Sequence, residues 1–139
     1  MNLSIHNAVL DRGSRTVNIG IENGLISKIS GDPIPEADKA INANGNLITP
    51  PFFESHFHLD NTLLVGGINR SGTLKEAIEI YAAKKEVMTE EDILERASET
   101  LKLCLANGVC YFRSHVDIDP LGKLKLLKGV KKAKERFTG

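Results

Sequence analysis

Pro50-Pro51 divides this chain into two stretches whose hydrophobic periods differ, so the two halves cannot share one architecture. Before it, Leu3, Ile5 and Val9, then Val17, Ile19 and Ile21, alternate with polar neighbours, the period of a half-buried strand. Asp11-Arg12-Gly13-Ser14 and Glu22-Asn23-Gly24 separate these runs with turn chemistry, and Leu25 to Ile29 supplies a third strand. Gly31 to Asp38, with Pro33 and Pro35, reads as a loop. Ala40-Ile41-Asn42 and Leu47-Ile48-Thr49, split by Asn44-Gly45-Asn46, read as another hairpin. Residues 1–50 are therefore expected to form a small antiparallel β domain.

Residues 51–139 have a different grammar. Phe52 to Leu59 reads as a strand. Leu74, Ala77, Ile78, Tyr81 and Ala82 follow helical spacing from a start near Ser71 or Thr73. Thr89 and Asp92 resemble a capping box for a second helix with Ile93, Leu94, Ala97, Leu101, Cys104 and Leu105 on one face and Gly108 at its end. Val109 to Ile118 reads as a strand. Asp119-Pro120 can open a third helix whose apolar side is Leu121, Leu124, Leu127, Val130, Ala133 and Phe137. Strands alternating with helices imply βαβ units about a parallel sheet. The fold class is α/β (α+β within this segment), and two parallel strands alone cannot close a barrel or cover a sheet.

Composition excludes several classes. Among 139 residues, 18 Lys+Arg balance 18 Asp+Glu, with 41% hydrophobic and 26% charged residues, as in a globular protein. Zero net charge gives no global case for nucleic acid or an anionic membrane as partner. The longest apolar stretch, Leu63 to Ile68, is far short of the roughly 20 residues of a spanning helix. The first residues show no basic start followed by an apolar core, so no secretory signal is read. Cys104 and Cys110 do not make a disulfide framework or a structural zinc site, so both are expected to be small core residues in a reducing cytoplasm. From Leu121 onwards seven Lys/Arg face one acid, Glu135, which reads as a solvated helix face rather than a nucleic-acid patch.

The chemistry concentrates around Glu54-Ser55-His56-Phe57-His58-Leu59-Asp60. In a strand, residues two apart share a face, which would align Glu54, His56, His58 and Asp60. Four ionisable groups on one face are costly to bury unless they are paired or bind a metal. Imidazoles two apart can converge on one cation of the zinc or iron kind, or they can be a hydrogen-bonded pair near a strand end. On the second strand Arg113, His115 and Asp117 would share a face. Arg113 and Asp117 could form a structural salt bridge. His115 could be a third ligand, orient another ligand or touch a substrate. Polar groups at the carboxyl ends of adjacent parallel strands are where α/β barrels place active sites. No phosphate-binding glycine loop, nucleophile elbow or Pro-Cys-x-x-Cys deaminase signature occurs.

The stretches LITPPFFESHFHLDNT (residues 47–62), SGTL (71–74) and YFRSHVDID (111–119) resemble the N-terminal third of cytosine deaminase, of the amidohydrolase superfamily of metal-dependent (β/α)8 barrels. An N-alkyl ammelide hydrolase relative shares the HVD strand. The resemblance implies that His56 and His58 hold one divalent metal, Zn or Fe(II), and that Leu74, in the loop before the first helix, lies near a bound pyrimidine. Asp60, His115 and Asp117 are the other substrate-pocket candidates. It further implies His, Glu and Asp residues on strands five, six and eight that have no counterpart here, so no general acid/base is identified. The expectation is an N-terminal segment, cytoplasmic, of an enzyme deaminating a small heterocycle. Alone it should be inactive, should bind metal weakly through two ligands, and should associate with itself or with a complementary C-terminal fragment. The competing expectation is a non-catalytic, oligomerising truncated product.

Overall fold

The computed structural model describes residues 1–137 apart from Arg12, Ser14, Glu36 and residues 65–68. The turn expected at residues 11–14 and most of the apolar stretch 63–68 fall partly outside the described residues. The chain divides into two compact units, Met1–Pro50 and Pro51–Gly139. Among the described residues no helix is long and apolar enough to cross a membrane.

The first unit is one sheet in the order β3 (Leu25–Ser30), β2 (Val17–Glu22), β1 (Leu3–Ala8), β4 (Lys39–Asn42). β2 is antiparallel to both neighbours. β4 runs parallel to β1, pairing Leu3 with Lys39 and His6 with Asn42, so the expected all-antiparallel sheet is a mixed one. The expected hairpin at residues 40–49 does not form either. Asn44 and Gly45, both at positive φ, close a tight turn that carries the chain outwards around Asn7 and back to a parallel bridge between Val9 and Leu47. Main-chain bonds from Gly45 N to Asn7 O and from Ile48 N to Val9 O hold this detour on β1. The turn chemistry was legible, but the strand it serves is β1. Leu25, Ile26 and Ile29 of β3 are exposed, which leaves part of the sheet uncovered.

The second unit pairs β5 (Phe52–Phe57) in parallel with β6 (Val109–Ser114). Between them come a 3-10 turn at Leu59–Asn61, α1 (Leu74–Val87) and α2 (Glu90–Ala106), and α3 (Lys125–Phe137) follows β6. The core is Leu59, Met88, Ile93, Leu94, Ala97, Leu101, Leu126, Val130 and Ala133, with Phe57 and Phe112 packed against it. α2 starts as expected: Thr89 Oγ1 accepts the N–H of Asp92 at 3.1 Å. α3 crosses it closely at Gly129, where a Cβ would stand 2.6 Å from Ile93 Cγ2.

Four expectations are corrected here. Both strands end earlier than alternation suggested, β5 at Phe57 and β6 at Ser114. α3 starts at Lys125: the Asp119 carboxylate does accept the N–H groups of Leu121 and Gly122, but Lys123 at φ 49° breaks the turn before a helix can propagate. Its buried stripe is Leu126, Gly129, Val130 and Ala133, while Leu121, Leu124 and Leu127 are exposed. Cys110 is exposed and Cys104 half-buried, so they are not a core pair. Burial, and then the nearby Glu54 charge, pushes the Cys104 thiol up.

Candidate metal centre

The carboxyl ends of β5 and β6 are joined by one main-chain bond, from His115 N to Phe57 O at 2.7 Å. That bond places His115 beside the peptide that leads into His58. Three imidazoles gather there, with ring centroids 4.3 Å apart for His56 and His115, 5.5 Å for His56 and His58, and 5.7 Å for His58 and His115. His56 and His115 are exposed and His58 is half-exposed, so the cluster is open to solvent. The fourth histidine, His6, lies in the other unit, bonded to Ser4 and Asn18.

The register is irregular between Glu54 and Phe57. Glu54 is half-buried and accepts the His56 N–H through Oε1 at 3.1 Å. His58 and Asp60 are not strand residues at all: His58 precedes the 3-10 turn and Asp60 lies inside it. The turn is what brings Asp60 back against His58.

Asp60 is fully buried. Its Oδ2 accepts the main-chain N–H of Asp117 at 2.9 Å, and its Oδ1 lies 3.7 Å from His58 Nδ1. Asp117 Oδ1 lies 4.0 Å from the same nitrogen. His58 Nδ1 and Asp60 Oδ1 are the two buried side-chain atoms left without a hydrogen-bond partner among the described residues. Burial pushes the Asp60 carboxyl up, against the N–H of Asp117, which lowers it. Asp117 is moved the other way: burial would raise it, but the Asn61 amide and the Lys85 ammonium bring it below the usual carboxylate value.

Sequence reasoning missed the residues that hold these groups. Lys85 is 5% exposed; its Nζ lies 3.3 Å from Asp117 Oδ2, 2.5 Å from Asp119 Oδ2 and 4.4 Å from the centroid of Tyr81. Asp117 is therefore paired with Lys85, not with Arg113 as a salt bridge within β6 would require. Tyr81 donates to Asn61 Oδ1 and, at 3.3 Å, to Asp117 Oδ2, and burial pushes its phenol up to about 12. Arg96 of α2 donates to the carbonyls of Asp60 and Thr62 at 3.1 and 2.6 Å, clamping the 3-10 turn. A signal was present: Lys85 falls four residues after Tyr81 on the α1 stripe, and a lysine on an apolar stripe must find a carboxylate.

Leu74 is the first residue of α1 rather than part of the loop before it, and is 76% exposed. Thr73 caps the helix by accepting the Glu76 N–H, and Glu76 reaches back to the N–H groups of Arg70 and Ser71.

Among the described residues one donor set brings its ligand atoms within 4.8 Å of one another: His58, Asp60 and Asp117. The Lys85 ammonium beside Asp117 already neutralises part of that set, and Asp60 Oδ2 is engaged by a peptide N–H. A carboxylate facing one imidazole nitrogen is the arrangement that orients a metal-bound histidine through its other nitrogen. The unpartnered pair His58 Nδ1 and Asp60 Oδ1 fits that role.

No family model matches the chain. It is 31% identical over 142 residues to N-isopropylammelide isopropyl amidohydrolase of Pseudomonas sp. (strain ADP), covering 98% of this chain and 35% of that enzyme. Its structure superposes with a TM-score of 0.82 and 36% identity on 5-methylcytosine deaminase from Klebsiella pneumoniae liganded with 5-fluorocytosine, covering 96% of this chain and 33% of that one. N-isopropylammelide isopropylaminohydrolase from Burkholderia multivorans ATCC 17616 shares the fold with a TM-score of 0.78 and 24% identity, covering 98% of this chain and 35% of that one. The chain spans about a third of the length of these relatives. In sequence and in fold it thus corresponds to a third of the deaminases and hydrolases of the amidohydrolase superfamily, the resemblance that its His-x-His stretch carries.

Proposed function

We propose that this chain is a segment of a metal-dependent amidohydrolase that removes ammonia from cytosine or a related amino-substituted heterocycle. The observation that carries this reading is the convergence of His56 and His58, backed by Asp60, in a chain 36% identical to 5-methylcytosine deaminase. His56 and His58 would hold one divalent ion, Zn or Fe(II), with imidazole donors suited to either. When bound, such an ion acidifies water enough for hydrolysis near neutral pH. The chain's own residues orient that site: Asp60 faces His58 Nδ1, Asp117 bonds to Asp60 through its N–H, and Lys85 and Arg96 fix Asp117 and the turn. His115, Asp117 and Leu74 are proposed to meet the ring. In the overall reaction water adds at the ring carbon bearing the amino group, the C–N bond breaks and ammonia leaves. The acid/base that moves the proton is not assigned to this chain.

A second substrate reading, an N-alkyl ammelide ring, is favoured by the 31% identity to the Pseudomonas enzyme. The exposed Leu25, Ile26 and Ile29 and the exposed Leu74 and Ile78 of α1 support association with a complementary segment or a second copy. The test replaces the matching third of the Klebsiella enzyme with this chain and measures ammonia release. Activity on 5-methylcytosine or cytosine, lost in His56→Ala and His58→Ala, is expected. Activity only on N-isopropylammelide would favour the second substrate. A folded, metal-loaded chimera inert on all three would overturn the proposal.

A further inference from the structure

Three asparagine–glycine pairs occur in the chain: Asn23-Gly24, Asn44-Gly45 and Asn107-Gly108. Such a pair can cyclise when the glycine peptide nitrogen attacks the asparagine Cγ, because a glycine has no Cβ to crowd the closing ring. All three asparagines are exposed, so access to solvent does not separate them. The state of the attacking nitrogen does. The Gly45 N–H is donated to Asn7 O at 2.8 Å and the Gly108 N–H to Leu105 O at 3.0 Å. The Asn107 side chain is held as well, donating to Leu103 O at 2.8 Å. Among the described residues nothing accepts the Gly24 N–H and nothing holds the Asn23 side chain.

Asn23 and Asn44 make an internal comparison. Both sit in turns with two positive φ values, 50° and 78° at Asn23-Gly24 and 52° and 77° at Asn44-Gly45. Local conformation is therefore shared, and the hydrogen bond at the glycine nitrogen is what differs. Ring closure also needs the peptide to rotate out of its turn. Asn23-Gly24 joins β2 to β3, and β3 is an edge strand exposed along all but its last residue. A strand with so little buried surface opens locally at small cost.

We propose that Asn23 is a site of spontaneous modification, converted through a cyclic imide to aspartate and isoaspartate, while the fold protects Asn44 and Asn107. The Gly24 nitrogen gives its proton to solvent base and bonds to Asn23 Cγ. The Cγ–Nδ2 bond breaks, and Nδ2 takes a proton from water and leaves as ammonia. Water then opens the ring at either carbonyl, so the net change is one water consumed and one ammonia released. Opening at the main-chain carbonyl gives isoaspartate, which adds a carbon to the loop whose length sets the pairing of Glu22 with Leu25. Either product places new negative charge beside Glu22, whose Oε1 lies 3.6 Å from the amino terminus.

The test ages the full 139-residue chain near neutral pH, folded and, in parallel, unfolded in urea. Trypsin then puts each pair in its own peptide, residues 16–28, 40–70 and 103–113. Mass spectrometry follows the change from amide to acid, and electron-transfer fragmentation separates isoaspartate from aspartate. In the folded chain Asn23 should convert about tenfold or more faster than Asn44 and Asn107, the ratio reflecting the difference in local opening. In urea the three rates should come within about threefold of one another, since local protection is then gone. Conversion of Asn44 or Asn107 in the folded chain as fast as that of Asn23 would overturn the proposal. So would an Asn23 that converts in urea but not in the folded chain, or a ratio in urea equal to the folded one.

Discussion

The main-chain N–H of Asp117 donates to Oδ2 of Asp60 at 2.9 Å, linking two residues that are 57 positions apart and each just past the end of a parallel strand. One buried carboxylate thereby sets the spacing between the β5 and β6 ends, and its other oxygen is left facing His58.

Replacing Asp60 should show this in stability before it shows in any chemistry. Asp60→Ala leaves the Asp117 N–H buried without an acceptor and should cost about 1–3 kcal/mol. Asp60→Asn keeps an amide oxygen in the same place and should cost clearly less. Urea unfolding followed by circular dichroism measures both, and equal losses in the two variants would contradict the role given to this bond.

Gly129 permits the closest approach of α2 and α3. An alanine Cβ there would stand 2.6 Å from Ile93 Cγ2 and 3.0 Å from the Glu90 carbonyl. Overpacking costs about 1–3 kcal/mol, more than the roughly 1 kcal/mol that alanine returns through helix propensity. Gly129→Ala should therefore lower the urea midpoint, and a raised midpoint would show that the helices can part at no cost.

Glu90 joins the start of α2 to α3, its oxygens 3.0 Å from Lys132 Nζ and 3.4 Å from Lys128 Nζ. The Lys132 bond, opposed by partial burial and helped by Lys128, holds its carboxyl below the ordinary 4.5. A lowered acid stabilises the fold above its unfolded value and loses that contribution as pH falls through the folded value. Glu90→Gln should thus be less stable than the wild type near neutral pH. The gap should close as pH falls from 4.5 through the lower folded value, beneath which both proteins are uncharged at this position. Thermal melts of both proteins across that range check the sign.

Much of this architecture was legible in the sequence because period and capping are local. Thr89 with Asp92, the β1–β3 strands and the strand–helix–helix–strand–helix order all follow from neighbours within a few residues. What local reasoning missed depends on partners far along the chain. β4 chose β1 rather than residues 47–49, and no local feature of Asn44-Gly45 distinguishes those outcomes. The site shows the same division. The approach of the His56 and His58 rings could be expected from their spacing, whereas the bond from the His56 N–H to the Glu54 carboxylate could not. Asp60 joined His58 through a 3-10 turn, not through strand alternation, and Lys85 and Arg96 came from helices that sequence order alone does not aim at the site.

The account turns on which nitrogen of His58 meets a metal. With Nδ1 facing Asp60 and Asp117, the nitrogen left for an ion shared with His56 is Nε2. The direct measurement is two-bond proton–nitrogen correlation NMR of the 15N-labelled imidazoles, before and after one equivalent of Zn(II). Nδ1-protonated His58 is the predicted result, with Zn(II) shifting Nε2 of both His58 and His56. Zn(II) bound through His58 Nδ1, with His56 unmoved, would assign the ion to the His58, Asp60 and Asp117 set and contradict the site proposed for this chain.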